Sequence, residues 1–106
     1  MIYKIAVTTF TSEPKGYQHG LEFIHNCIIP IWDQAKKIEI NVDGLPDNPQ
    51  QFIKGAFVGL SNMYGYKKCQ EKIVIVTEKT ELKKDAVRYL KTFAEKSFHP
   101  YRWYDQ

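Results

Sequence analysis

One stretch, residues 38–60, constrains the fold more than any other. In its first part apolar and polar residues alternate, with Ile38, Ile40 and Val42 set against Glu39, Asn41 and Asp43. A period of two with β-branched residues on one side predicts a strand with one strongly apolar face. Gly44, Leu45, Pro46, Asp47 and Asn48 follow, a turn composition. Asn48 before Pro49 predicts a helix start, because Asn accepts from N–H groups that a first turn leaves unpaired and Pro has none to lose. From Phe52 the apolar spacing becomes Phe52, Ala56, Leu60, Met63, a helical stripe, and Gly65 after Tyr64 marks its stop. A strand thus passes through a tight loop to a helix whose N-terminus is presented at that loop.

The alternation of elements continues on either side. Residues 1–10 hold Ile2, Tyr3, Ile5, Ala6, Val7 and Phe10 and read as a first strand, followed by a loop containing Ser12, Pro14 and Gly16. Leu21, Ile24, Ile28 and Ile31 with Trp32 give residues 17–35 near-helical spacing. Gly20 is a poor interior helix residue, and Pro30 should bend or interrupt the helix near Asn26. Residues 66–71 are polar and Lys-rich and read as a link. Ile73, Val74, Ile75 and Val76 form a continuous apolar run, as expected of a strand covered on both faces in a sheet with parallel pairing. Thr80 and Glu81 open a last helix, reaching to about residue 96 and striped by Leu82, Ala86, Tyr89, Leu90 and Phe93. This β-α-β-α-β-α order predicts a single α/β domain over residues 1–106, a short mixed β-sheet with about three main helices.

The chain has 106 residues, enough for one core and not for two. Its net charge of +3 is modest and its Lys pairs, 36 with 37, 67 with 68 and 83 with 84, are scattered beside acidic residues, the pattern of a solvated surface. A dedicated nucleic-acid domain more often concentrates its basic residues on one face. Cys27 lies in an apolar run and Cys69 stands alone, without metal-ligand spacing, which points to a reduced, cytoplasmic protein. No leader is expected from the N-terminal residues, and no apolar run reaches membrane-spanning length.

Catalytic chemistry finds little support in the residues. His25 and Cys27 are two apart, and on a helix they would face different sides, too far apart for a nucleophile and its base. Asp43 and Asp47 flank the tight turn and read as turn formers or caps rather than as an acid–base pair or a cation site. Gly55 and Gly59 sit inside the helix, whereas a phosphate cradle needs glycines ahead of it; they are expected to let the helix lie close to the sheet. Neither an enzyme activity, nor a cofactor, nor a metal is predicted.

Residues 97–106 differ from the rest. Phe98, Tyr101, Trp103 and Tyr104 cluster around Pro100 without continuing the helical stripe. They either close one end of the core or form an exposed patch for a partner, Tyr101 and Trp103 being of the types that dominate interface hot spots. Stacking on nucleic-acid bases is a third use.

The central stretch resembles the STAS-like domain family of bacterial and phage proteins, related to the STAS domains of anti-sigma-factor antagonists. Matching residues are Asp43 and Gly44 at the strand end, the loop 45–48, Pro49, Phe52, and Ala56, Phe57, Gly59 and Leu60. The resemblance spans about residues 12–93. It implies a non-enzymatic regulatory module that binds a protein partner. In the antagonists a Ser at the start of the helix is phosphorylated, adding up to about two negative charges there. Gln50 and Gln51 replace the usual Ser pair, so no such switch is expected at that site. The candidate partner-binding residues are Asp47, Asn48, Gln50, Gln51 and Lys54, with Tyr101 and Trp103 in the tail; Asn62 would be an exposed neighbour. The alternatives are nucleic-acid or nucleotide binding through Lys15, Lys36, Lys37, Lys67, Lys68 and the tail, or a small mobile-element inhibitor of a host complex. A homodimer through strand edges or the tail stays open.

Overall fold

The computed structural model describes residues 1–45 and 49–95, the last four of these as helix backbone only. Strand β1 (Ile2–Ala6) runs into a single helical turn, α1 (Val7–Phe10), so the first strand is shorter than its apolar content suggests. Helix α2 (Tyr17–Phe23) follows, then β2 (Lys37–Asn41), α3 (Gln50–Tyr64), α4 (Tyr66–Lys72), β3 (Ile73–Val76) and α5 (Thr80–Glu95). The strands form one sheet in the order β1-β2-β3, and both pairings are parallel. The α/β class and element order match expectation, and the described strands narrow the mixed sheet to a parallel one.

Register explains where the core lies. Tyr3, Ile38 and Ile73 stand side by side, as do Ile5, Ile40 and Ile75. Ile38 and Ile40 are wholly buried, and Val42 continues their row. Burying each such side chain is worth about 2 kcal/mol. The helices cover this face with Phe23, Ile24, Ile28, Phe52, Ile53, Phe57, Leu60 and Leu90.

The opposite face is not covered as expected. There Ile2, Lys4, Glu39, Val74 and Val76 line up, and Val74 and Val76 are 39% and 36% exposed. A continuous apolar run therefore does not mark a strand buried on both sides here, because the described helices pack on one side only.

Pro30 acts as predicted, with a specific geometry. It has no N–H, and its ring conflicts with the carbonyl four residues back. The chain after α2 widens into a π-helical segment, Ile24–Ile28, where the Ile29 N–H reaches the Ile24 carbonyl, then tightens into a 3₁₀ turn, Ile29–Ile31. This carries Trp32 onto Tyr64 at the end of α3, ring planes parallel and centroids 3.7 Å apart. Lys72 closes the contact, with Nζ 4.8 Å from the Trp32 ring and 2.7 Å from its carbonyl oxygen.

Three further expectations are corrected. The link 66–71 is helical: Tyr66, Cys69 and Ile73 are spaced so that the short α4 buries Cys69 against α3, where its thiol lies 3.4 Å from the Leu60 carbonyl. Met63 is 47% exposed, since the buried stripe of α3 shifts to Tyr64 in its last turn. Gly55 and Gly59 face α2 rather than the sheet: a Cβ on Gly55 would meet the Tyr17 backbone, and one on Gly59 the Leu21 side chain.

Candidate functional site

In a parallel sheet the loops that follow the strands gather at one edge, the usual place for ligands in such folds. Here α1, the loop after β2 and the loop after β3 meet there. Asn41 opens the β2 loop by accepting the Asp43 N–H at 2.8 Å on its side-chain oxygen. Gly44 then takes φ +82°, a conformation that side-chained residues rarely adopt. Its neighbour Asp43 reaches across to the β3 loop, where its carboxylate accepts the Thr77 hydroxyl and, at 2.8 Å, the Glu78 N–H. These two bonds, the hydroxyl first, hold the Asp43 carboxyl below its ordinary pKa; burial opposes the shift and the Lys79 charge supports it. Asp43 is thus a tie between two loops.

The N-termini of α3 and α5 also converge on this edge. Pro49, Gln50, Lys79, Glu81 and Leu82 line a cavity of about 250 Å³ between them. The helix begins one residue later than expected: Pro49 sits at the boundary and its carbonyl accepts the Ile53 N–H at 2.9 Å, while Gln50 is the first helical residue. Gln50 does not offer its amide outward. Its Nε2 donates to Asp85 at 3.1 Å and its Oε1 accepts the Tyr89 hydroxyl at 2.9 Å, pinning α3 to α5. Gln51 and Lys54 are exposed on the next turn, with Asn62 further along. Asp47, Asn48, Tyr101 and Trp103 lie outside the described residues. Of the expected site, the structure brings together Gln51 and Lys54 at the surface and engages the half-buried Gln50 with α5.

Beneath this edge is a cluster that sequence reasoning did not assemble. Phe10, His19, Phe23 and Phe52 contact one another with ring centroids 5.3 to 5.9 Å apart. His19 Nδ1 accepts the Lys15 N–H at 2.9 Å, fixing the entry to α2. The cluster supports the start of α3 through Phe52.

The remaining reactive groups are quiet. Burial pushes the Cys69 thiol up to about 12 and raises that of Cys27 as well. His25 is exposed, with Nδ1 3.2 Å from the Leu21 carbonyl. Among the described residues no three His, Cys, Asp or Glu side chains gather as a metal site, and no helix is long and apolar enough to cross a membrane. The Lys15 N–H bonds His19 at the start of α2, and the Lys36 N–H bonds the Met1 carbonyl before β1. The chain matches no protein-family model, no curated protein and no solved structure at a significant level.

Proposed function

We propose that this chain is a STAS-like, non-enzymatic protein-interaction module whose partner binds where β2 hands over to α3. The observation that carries the reading is the pinned start of α3. Gln50 ties it to Asp85 and Tyr89, Asp43 ties the preceding loop to Thr77 and Glu78, and Gln51 and Lys54 stand exposed in the first turns of α3. A pre-organised surface lowers the ordering cost of association. Gln50, in place of a phosphorylatable Ser, makes two internal bonds, which supports a surface held in one state rather than switched by phosphate.

The test is affinity capture from native-host extract with the full chain beside a Gln51→Glu/Lys54→Glu variant. Both side chains are exposed, so the variant should melt like the parent. A protein recovered by the parent and lost with the variant is the expected result. Equal recovery by both would move the interface elsewhere, and salt-sensitive nucleic acid in the parent eluate would replace the reading with a nucleic-acid one.

A further inference from the structure

Helix α2 begins without an ordinary cap. Its boundary residue is Gly16, held at φ +105°, which has no side chain to accept from the first N–H groups. His19, the third helical residue, reaches back instead, and its Nδ1 accepts the Lys15 N–H at 2.9 Å. Glu or Gln at this position of a helix makes a similar backward bond to main chain. An imidazole makes it in one charge state only.

The loop depends on that bond. Pro14 has no N–H, and the Glu13 N–H turns back to the Thr11 hydroxyl at 3.1 Å. Among the described residues, Lys15 to His19 is the one hydrogen bond that ties residues 12–15 to another element. The imidazole is half-buried and touches Phe10 of α1 and Phe52 of α3, with ring centroids 5.3 Å from each. Ionisable residues on the elements packed against it are few. The loop supplies Glu13 and Lys15, α2 supplies Tyr17 and Glu22, α3 supplies Lys54 and Tyr64, and α1 supplies none. No described carboxylate forms an ion pair with His19.

An imidazolium carries N–H on both nitrogens and has no acceptor left. The Lys15 bond and a protonated His19 therefore exclude each other, whichever way the ring is turned. A positive charge in the first turn also opposes the helix dipole. We infer that His19 is a pH-operated latch: neutral, it holds the 11–16 loop on the start of α2, and protonated, it lets the loop go. The opening is local. Phe23 keeps its own contacts with Phe10 and Phe52, at 5.6 and 5.9 Å, so the core beneath stays closed. The latch belongs to the fold and stands whether or not Gln51 and Lys54 meet a partner.

The test is an NMR titration of the full chain from about pH 8 to about pH 4, which spans the imidazole range and ends in that of carboxylates. Protection of the Lys15 amide, taken relative to an unstructured chain at the same pH, should fall at least about five-fold. It should fall in step with the shift of the His19 ring protons, while the amides of Ile38 and Ile40 in β2 keep their protection. His19→Gln supplies an acceptor that does not titrate, so its Lys15 amide should stay protected throughout. His25→Gln should leave the step of the parent in place. Melting curves at pH 8 show whether the variants are folded, and the titration of the parent decides without them. A ring that never titrates, or a Lys15 amide indifferent to its charge, would overturn the proposal. So would a step that survives in His19→Gln, or one centred at about pH 4, the range of Glu13 and Glu22. Loss of protection at Ile38 and Ile40 in the same step would overturn it too, assigning the change to unfolding of the whole domain.

Discussion

Ser61 lies in the last turn of α3, is wholly buried, and its hydroxyl has no hydrogen-bond partner among the described residues. A buried hydroxyl without a partner loses its water contacts and regains nothing, at a cost of about 1 kcal/mol or more. Ala also has the better helix propensity, by about 0.5 kcal/mol. Ser61→Ala is therefore expected to raise stability by about 1 kcal/mol in urea unfolding, and a loss of stability would mean that the hydroxyl is bonded in solution. Asp43 is the opposite case, a polar group whose bonds are made. Asp43→Asn replaces an acceptor facing the Glu78 N–H with an amide that offers it a donor on one side, so about 1 kcal/mol should be lost at neutral pH. The carboxyl's pKa is lowered in the folded state. Its contribution is thus fully present above the unfolded value, about 3.9, and fades as pH falls through the lower, folded value. Unfolding curves of parent and variant should separate at pH 7 and converge on acidification below about 4; a gap independent of pH would show that the carboxylate charge is not what matters.

At the scale of elements, the crossing of α2 over α3 decides how tightly the fold closes. Gly20 and Gly55 meet backbone: a Cβ on Gly20 would lie 2.2 Å from the Phe52 carbonyl oxygen, and one on Gly55 2.1 Å from that of Tyr17. Neither obstacle moves without parting the helices. Gly20→Ala or Gly55→Ala should each lower stability by about 3 kcal/mol, although Ala is the better helix former by about 1 kcal/mol. Gly59 is the control, because its Cβ would meet only the Leu21 Cδ2 at 2.6 Å, the end of a flexible side chain. Gly59→Ala should stay within about 1 kcal/mol of the parent, and equal damage at all three sites in urea unfolding would refute this account of the crossing. The same contrast shows what a sequence discloses. The strand at Ile38, Ile40 and Val42 and the helix at Phe52, Ala56 and Leu60 were legible because their periodicity is local. The neighbour that the glycines of α3 would meet was not legible, since it depends on how a distant helix approaches. Helix α4 was hidden by its length: seven residues do not hold a helix alone, and this one forms around the burial of Cys69. Gln50 looked like an outward-facing amide because its partners, Asp85 and Tyr89, lie 35 and 39 residues away.

For the whole molecule the consequential feature is a parallel sheet covered by its described helices on one face. Sheets of this kind are usually clothed on both, and the run Ile73, Val74, Ile75, Val76 carries enough apolar surface for that. Sequence could not distinguish the cases, because coverage depends on which side each crossover takes. One substitution, Val→Thr, compares the faces with little change of side-chain shape. Val42 is 1% exposed, whereas Val74 and Val76 are 39% and 36% exposed. A Thr hydroxyl at 42 would be stripped of water among Ile38, Ile40 and their neighbours, costing about 2 kcal/mol. On the outer face the hydroxyls of a Val74→Thr/Val76→Thr double variant stay hydrated, and the total change should lie within about 0.5 kcal/mol. Thermal and urea unfolding of the two variants, each at several protein concentrations, separates the outcomes. A double variant as costly as Val42→Thr would mean that the second face is covered in solution. A cost that grows with protein concentration would assign the cover to another copy, and a cost independent of it to the chain itself.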